Sequence, residues 1–169
     1  MEKLSLRLQT IFSMVDNGSV VADVGSDHGK LMISLYEKGI ISFGFAIENK
    51  KGPFSRLEKA LRESGCIDSI KPIFSDGIRD LPESCNTVVI AGMGGKTILD
   101  ILKAHLDKLA HVDNIIIDGH SCNPLLREEI SKMGYAITNE KIIKDDGIFY
   151  EIIKFNKYAN RSLSNEDIE

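Results

Sequence analysis

The residues best suited to chemistry lie in four short places marked by glycines, by an acid or by both. Asp23-Val24-Gly25-Ser26-Asp27-His28-Gly29 is a loose G-x-x-x-G directly after an apolar run. Without Cβ atoms, Gly25 and Gly29 permit a tight turn and let a ligand approach the backbone closely. Unpaired amides at the start of a following helix favour a carboxylate or phosphate there. A structural turn without ligand fits the same spacing. Glu48 closes the next apolar run, 23 positions after Gly25. A carboxylate there can accept hydrogen bonds from both hydroxyls of a ribose; the alternative is a solvated surface glutamate. Asp76-Gly77 follows the third run, where an acid can accept from an adenine amine or simply make a turn. Ala91-Gly92-Met93-Gly94-Gly95 ends the fourth run with three glycines in four positions. That density suits backbone running against a flat ligand at the switch point of a sheet.

Other constellations are weaker. Asp118, His120 and Cys122 alternate after the fifth run, but too few ligands accompany them for a metal site. No metal is expected. No Ser-His-Asp or Cys-His arrangement is legible, since such partners meet in space and not in sequence.

The elements that position these segments follow from hydrophobic patterning. Val20 to Val24, Ser42 to Ile47, Ile70 to Phe74, Thr87 to Ala91 and Asn114 to Asp118 are short, nearly continuous apolar runs. Such runs suit parallel strands covered on both faces. Helical spacing separates them. An N-terminal helix over Leu4 to Val15 turns Leu4, Leu8, Ile11, Phe12 and Val15 inward, and another helix follows Gly29. Phe54, Leu57 and Leu61 share one face between Gly52 and Gly65, with Gly65 as a stop signal. Ile98, Leu102, Leu106 and Leu109 form a stripe from Lys96 onward. Asn123-Pro124 caps a helix to Met133, with Gly134 beyond its end. Tyr135 to Ile143 and Ile148 to Phe155 are β-rich runs joined by Lys144-Asp145-Asp146-Gly147, a strong hairpin signal. The expected fold is α/β: a largely parallel seven-stranded sheet ending in an antiparallel hairpin, with helices on both faces.

Composition bounds the partners. The 169 residues suffice for one domain with a substantial core. No window holds the roughly 18 uninterrupted apolar residues of a membrane span, and the N-terminus lacks a secretory signal. Three widely spaced cysteines without a C-x-x-C pair fit a reducing compartment, where they serve as small buried hydrophobes; the expected location is cytoplasmic. The net charge of −4 argues against a broad polyanion-binding surface, leaving a local basic patch as the route to nucleic acid. No feature calls for an obligate protein partner.

Leu6-Arg7-Leu8-Gln9-Thr10, Val21 to Gly29, Glu48 with Gly52-Pro53-Phe54, Asp76-Gly77 and Ile90 to Gly95 together resemble the TrmK family of bacterial tRNA (adenine-N1)-methyltransferases. Leu126-Arg127-Glu128 and Asp146-Gly147-x-x-Tyr150-Glu151 add to the resemblance, which runs from Leu4 to about Phe155. It implies a class I, Rossmann-like methyltransferase over residues 1–156 and a polar tail over 157–169 that begins a C-terminal helical region. It also implies methyl transfer from S-adenosylmethionine to N1 of an adenine in tRNA. Cofactor contacts then fall on Asp23, Gly25, Ser26, Asp27, His28 and Gly29 in the first loop. Further cofactor contacts fall on Glu48 and Asn49, on Asp76 and Gly77, and on Ala91, Gly92 and Met93. Asp27 is the candidate catalytic, orienting residue. Arg7, Gly94, Gly95 and His120 are the candidate substrate contacts, with Lys50, Lys51 and Arg56 as further phosphate candidates. The family carries a Gln-Pro-Asn-like segment where this chain has Asp118-Gly119-His120. Readings that stay open are a methyltransferase of another base or small molecule and a non-catalytic cofactor-binding module. A dinucleotide oxidoreductase is disfavoured, because Asp27 replaces the middle glycine of its fingerprint and the chain ends in a hairpin.

Overall fold

The computed structural model describes residues 3–119 and 124–158. Seven strands form one sheet: β1 (Val21–Val24), β2 (Gly44–Glu48), β3 (Ile70–Phe74), β4 (Thr87–Ala91), β5 (Asn114–Gly119), β6 (Ala136–Asp145) and β7 (Ile148–Asn156). Their order is β3-β2-β1-β4-β5-β7-β6. β1 pairs in parallel with β2 on one side and β4 on the other. The chain therefore changes direction across the sheet between β1 and β4, opening a crevice at their carboxyl ends. β1, β2 and β5 are buried along their whole lengths, which explains their continuous apolar runs.

Among the described residues, five α-helices cover the sheet: α1 (Leu6–Met14), α2 (Lys30–Glu37), α3 (Lys51–Glu63), α4 (Gly95–Ala104) and α5 (Pro124–Lys132). On one face Ala22, Val24, Val88, Ile90 and Ile117 pack with Ile98 and Leu102 of α4 and Leu126 and Ile130 of α5. On the other, Val21, Ala46, Val89 and Ile116 pack with α1, α2 and α3 through Ile11, Leu35 and Leu57. Each buried Val, Leu or Ile among them contributes about 1.5–3 kcal/mol relative to exposure, so both helical layers are held firmly against the strands.

Two elements differ from the pattern-based expectation. The stripe from Ile98 to Leu109 is not one helix. α4 stops at Ala104, His105 takes φ −142° and ψ 58°, and Leu106–His111 continues as a 3₁₀ turn. The extended residue and the tighter turn shift the phase, leaving Leu106 52% exposed while Leu109 still points inward. At the N-terminus the helix begins at Leu6, two residues later than Leu4, because the Ser5 hydroxyl accepts the Leu8 amide at 3.2 Å and caps it. The hairpin is as the Asp-Gly signal implies. Asp145 pairs with Ile148, and Asp146 (φ 52°) and Gly147 (φ 78°) make the two-residue turn. The proposed cap Asn123, and Cys122, lie outside the described residues. Cys66 and Cys85 are buried free thiols.

Candidate active site

The carboxyl ends of β1, β2 and β4 meet in a cleft of about 160 Å³. Its walls include Gly25, Glu48, Asn49, Asp76, Gly77 and Met93. The loop after β1 is fixed by backbone: the Gly25 and Ser26 amides both donate to the Ile47 carbonyl, at 2.9 and 3.2 Å. Gly25 has φ +76°, and a Cβ there would lie 2.7 Å from the Met93 methyl group. A side chain at residue 25 would therefore both strain the turn and fill the cleft. Gly29, at φ +69°, caps α2, whose first amides face the same loop.

Two carboxylates lie beneath this loop. Glu48 is only 8% exposed, and its Oε1 accepts the Asp27 amide at 2.6 Å. That bond holds Asp27 at φ 51°, a conformation that non-glycine residues take only under constraint. One oxygen of Glu48 thus braces the loop, and the second is available to a ligand. Asp23 is 5% exposed and accepts from the Ser26 hydroxyl at 3.0 Å. Burial pushes its carboxyl up to about 7, partly offset by the Ser26 hydrogen bond and reinforced by the like charge of Glu48. Asp27 and His28 project outward, with side chains 3.6 Å apart and largely exposed.

Asp76 is exposed at the rim of the cleft, and Gly77 (φ 58°) turns tightly against it. A Cβ on Gly77 would approach Ile101 Cγ2 to 3.1 Å, so a side chain there would press on Ile101 as well as strain the backbone. After β4, Ala91 and Met93 are half-buried, and Gly92 and Gly94 are exposed along the opening. Gly95 is buried and starts α4. Arg7 lies beside Gly92: a Cβ there would stand 3.5 Å from one guanidinium nitrogen. The guanidinium pairs with the buried Asp118 at 3.3 Å. His120 lies outside the described residues. Lys50 and Lys51 are exposed at the start of α3, and Arg56 is exposed within it.

The cleft also uses residues that patterning did not single out: Val24, Ile47, Ser75, Thr97 and Ile101. Thr97 and Ile101 lie one step round α4 from the core stripe of Ile98 and Leu102, where apolar periodicity gives no separate signal. Ser75 is buried, with its hydroxyl taken by the Asp80 amide at 3.2 Å. Among the described residues, no group of acids, histidines and cysteines could hold a metal ion. No helix among them is long and apolar enough to cross a membrane.

Known proteins share this arrangement. Residues 4–153 match the methyltransferase domain family. The tRNA (adenine(22)-N(1))-methyltransferase of Bacillus subtilis is 35% identical over 152 residues, covering 89% of this chain. The chain spans 64% of that relative's length. The Streptococcus pneumoniae protein Sp1610, solved in complex with S-adenosyl-L-methionine, superposes with a TM-score of 0.88 at 34% identity. That match covers 91% of this chain and 73% of the other. Mycoplasma capricolum TrmK, solved with S-adenosyl-homocysteine, gives 0.83 at 28% identity, over 92% and 70% of the two chains. The chain thus belongs to the methyltransferase domain family, in its TrmK branch.

Proposed function

We propose that this protein transfers a methyl group from S-adenosylmethionine to N1 of an adenine in tRNA, in the cytoplasm, with residues 1–156 as the catalytic unit. The observation that carries the reading is the buried Glu48 carboxylate facing the Gly25 turn, where added side-chain atoms would collide with Met93. With the Met93 side chain moved aside, this cradle receives an adenosyl group. The uncommitted Glu48 oxygen accepts the ribose hydroxyls, and the rim acid Asp76 meets the adenine amine. Asp23, whose burial disfavours its charge, gains from the positive methionine end. The relatives named above, one bound to S-adenosylmethionine and one to its demethylated product, support the same assignment.

When bound, the cofactor supplies an electrophilic methyl on a sulfonium. The adenine N1 lone pair forms the new N–C bond as the S–C bond breaks, and its electrons stay on sulfur. The chain need not remove a proton, because neutral N1 already holds an in-plane lone pair. Its residues instead align and exclude water: the Gly92–Gly95 backbone flanks the approach, and reacting atoms must meet within about 3–3.5 Å. Asp27, exposed at the loop tip, orients the incoming amine. Gly94 and Gly95 serve the base side, His120 is assigned to substrate from the family resemblance alone, and the exposed Lys50, Lys51 and Arg56 are the candidates for RNA phosphates.

The test is labelled methyl transfer onto unmodified tRNA followed by nucleoside analysis. Label in N1-methyladenosine supports the reading. Label elsewhere assigns another base, and cofactor binding without transfer reduces the protein to a binding module.

A further inference from the structure

Arg7 joins four separate parts of the fold at the substrate side of the cleft. Its Nε lies 3.3 Å from Asp118 Oδ2, at the carboxyl end of β5, and Asp118 is fully buried. Its guanidinium carbon stands 5.2 Å from the centre of the Tyr150 ring on β7. Its backbone amide donates to Asp145 Oδ2 of the hairpin at 3.3 Å. Its terminal nitrogen flanks Gly92, whose own amide donates to the Asp118 carbonyl at 3.2 Å. The side chain is only 28% exposed. A cation so held is a poor ligand for a mobile phosphate, since binding one would compete with a buried carboxylate and break the stack on Tyr150. It is well suited to fixing geometry, because a planar guanidinium held by an acid and a ring has little rotamer freedom left.

We infer that Arg7, clamped by Asp118 and Tyr150, is a positioning residue that sets the wall against which the substrate base is aligned, joining α1 and the hairpin to the ends of β4 and β5. The inference rests on the methyl-transfer reading above and deepens it. It predicts that Arg7 governs turnover after both substrates are bound. It does not predict a role in holding the cofactor, since Arg7 is not among the residues that wall the cleft.

The experiment compares wild type, Arg7→Gln, Arg7→Lys and Asp118→Asn. It measures kcat and KM on a tRNA transcript, Kd for S-adenosylmethionine by calorimetry, and the salt dependence of RNA affinity. For Arg7→Gln the expected result is a fall in kcat of about tenfold to a hundredfold with cofactor Kd within about twofold of wild type. Arg7→Lys keeps the charge but loses the planar fork, so it recovers only part of kcat. Asp118→Asn is expected to lower kcat as Arg7→Gln does; should that variant fail to fold, the two Arg7 variants still decide. A loss confined to RNA KM, with a shallower salt slope, would overturn the inference and make Arg7 a phosphate contact. A parallel fall in cofactor affinity and Tm would overturn it in favour of a purely structural role, and unchanged turnover would refute it outright. An inactive wild type would instead bring down the methyl-transfer reading, and this inference with it.

Discussion

At the scale of single residues, two carboxylates beneath one loop have different surroundings. Glu48 receives a backbone amide and keeps a free oxygen, whereas Asp23 is buried beside that like charge and holds its proton up to about pH 7. If Glu48 accepts ribose hydroxyls, each charge-assisted bond contributes on the order of 1.5–3 kcal/mol. Glu48→Ala should then weaken S-adenosylmethionine binding by about tenfold or more, and calorimetry showing unchanged affinity would refute this. Asp23 carries a separate pH signature. Its folded value of about 7 lies above the ordinary 3.8, so the folded state holds a proton that the unfolded chain releases earlier. Stability from this group is present below the ordinary value and is lost as pH rises toward 7. Melting temperatures of wild type and Asp23→Asn should therefore diverge across that window, with the wild type losing ground as pH rises. Parallel curves would place the proton elsewhere.

Elements position these residues through backbone geometry more than through side chains. The β1–α2 turn needs φ +76° at residue 25, and a methyl group there meets Met93. Gly25→Ala should cost more than about 1 kcal/mol of stability and lower cofactor affinity by about tenfold. A Met93→Ala background should restore only part of the affinity, because the clash is relieved and the dihedral strain is not. The hairpin acts on α1 in a similar indirect way. Asp145 accepts a first-turn amide of a helix whose first turn holds no acid of its own. Asp145→Ala should lower stability by about 0.5–1 kcal/mol and speed hydrogen exchange at the Arg7 amide first. Strands, glycine turns and the hairpin were legible in the sequence because each rests on local signals: continuous apolar runs, or dipeptides whose dihedrals few other residues accept. The break at His105 was not, since Leu106 and Leu109 keep helical spacing in sequence while the chain changes pitch between α4 and the 3₁₀ turn. The Arg7–Asp118 pair was not legible either. Its partners are more than a hundred positions apart and meet only because β5 lies beside β4 with α1 packed across them.

For the whole molecule, the sheet order creates one crevice at the β1–β4 switch, and both halves of the proposed reaction use it. In that proposal the cofactor lies over β1 and β2, and the substrate base lies toward β5 and the hairpin. The net charge of −4 leaves RNA capture to local cations near the mouth, so affinity for tRNA should fall steeply with salt only as far as those few contacts allow. A ligand that binds only the folded state raises the melting point, so S-adenosylmethionine should stabilise the protein and NAD should not. The reverse would return the chain to the dinucleotide-binding class. Most direct of all is the structure of the protein crystallised with S-adenosylmethionine. The adenosyl group should lie against Gly25 with its ribose hydroxyls within hydrogen-bond distance of the Glu48 carboxylate and Met93 moved aside. Density for the nucleoside at any other place on the molecule would contradict the account.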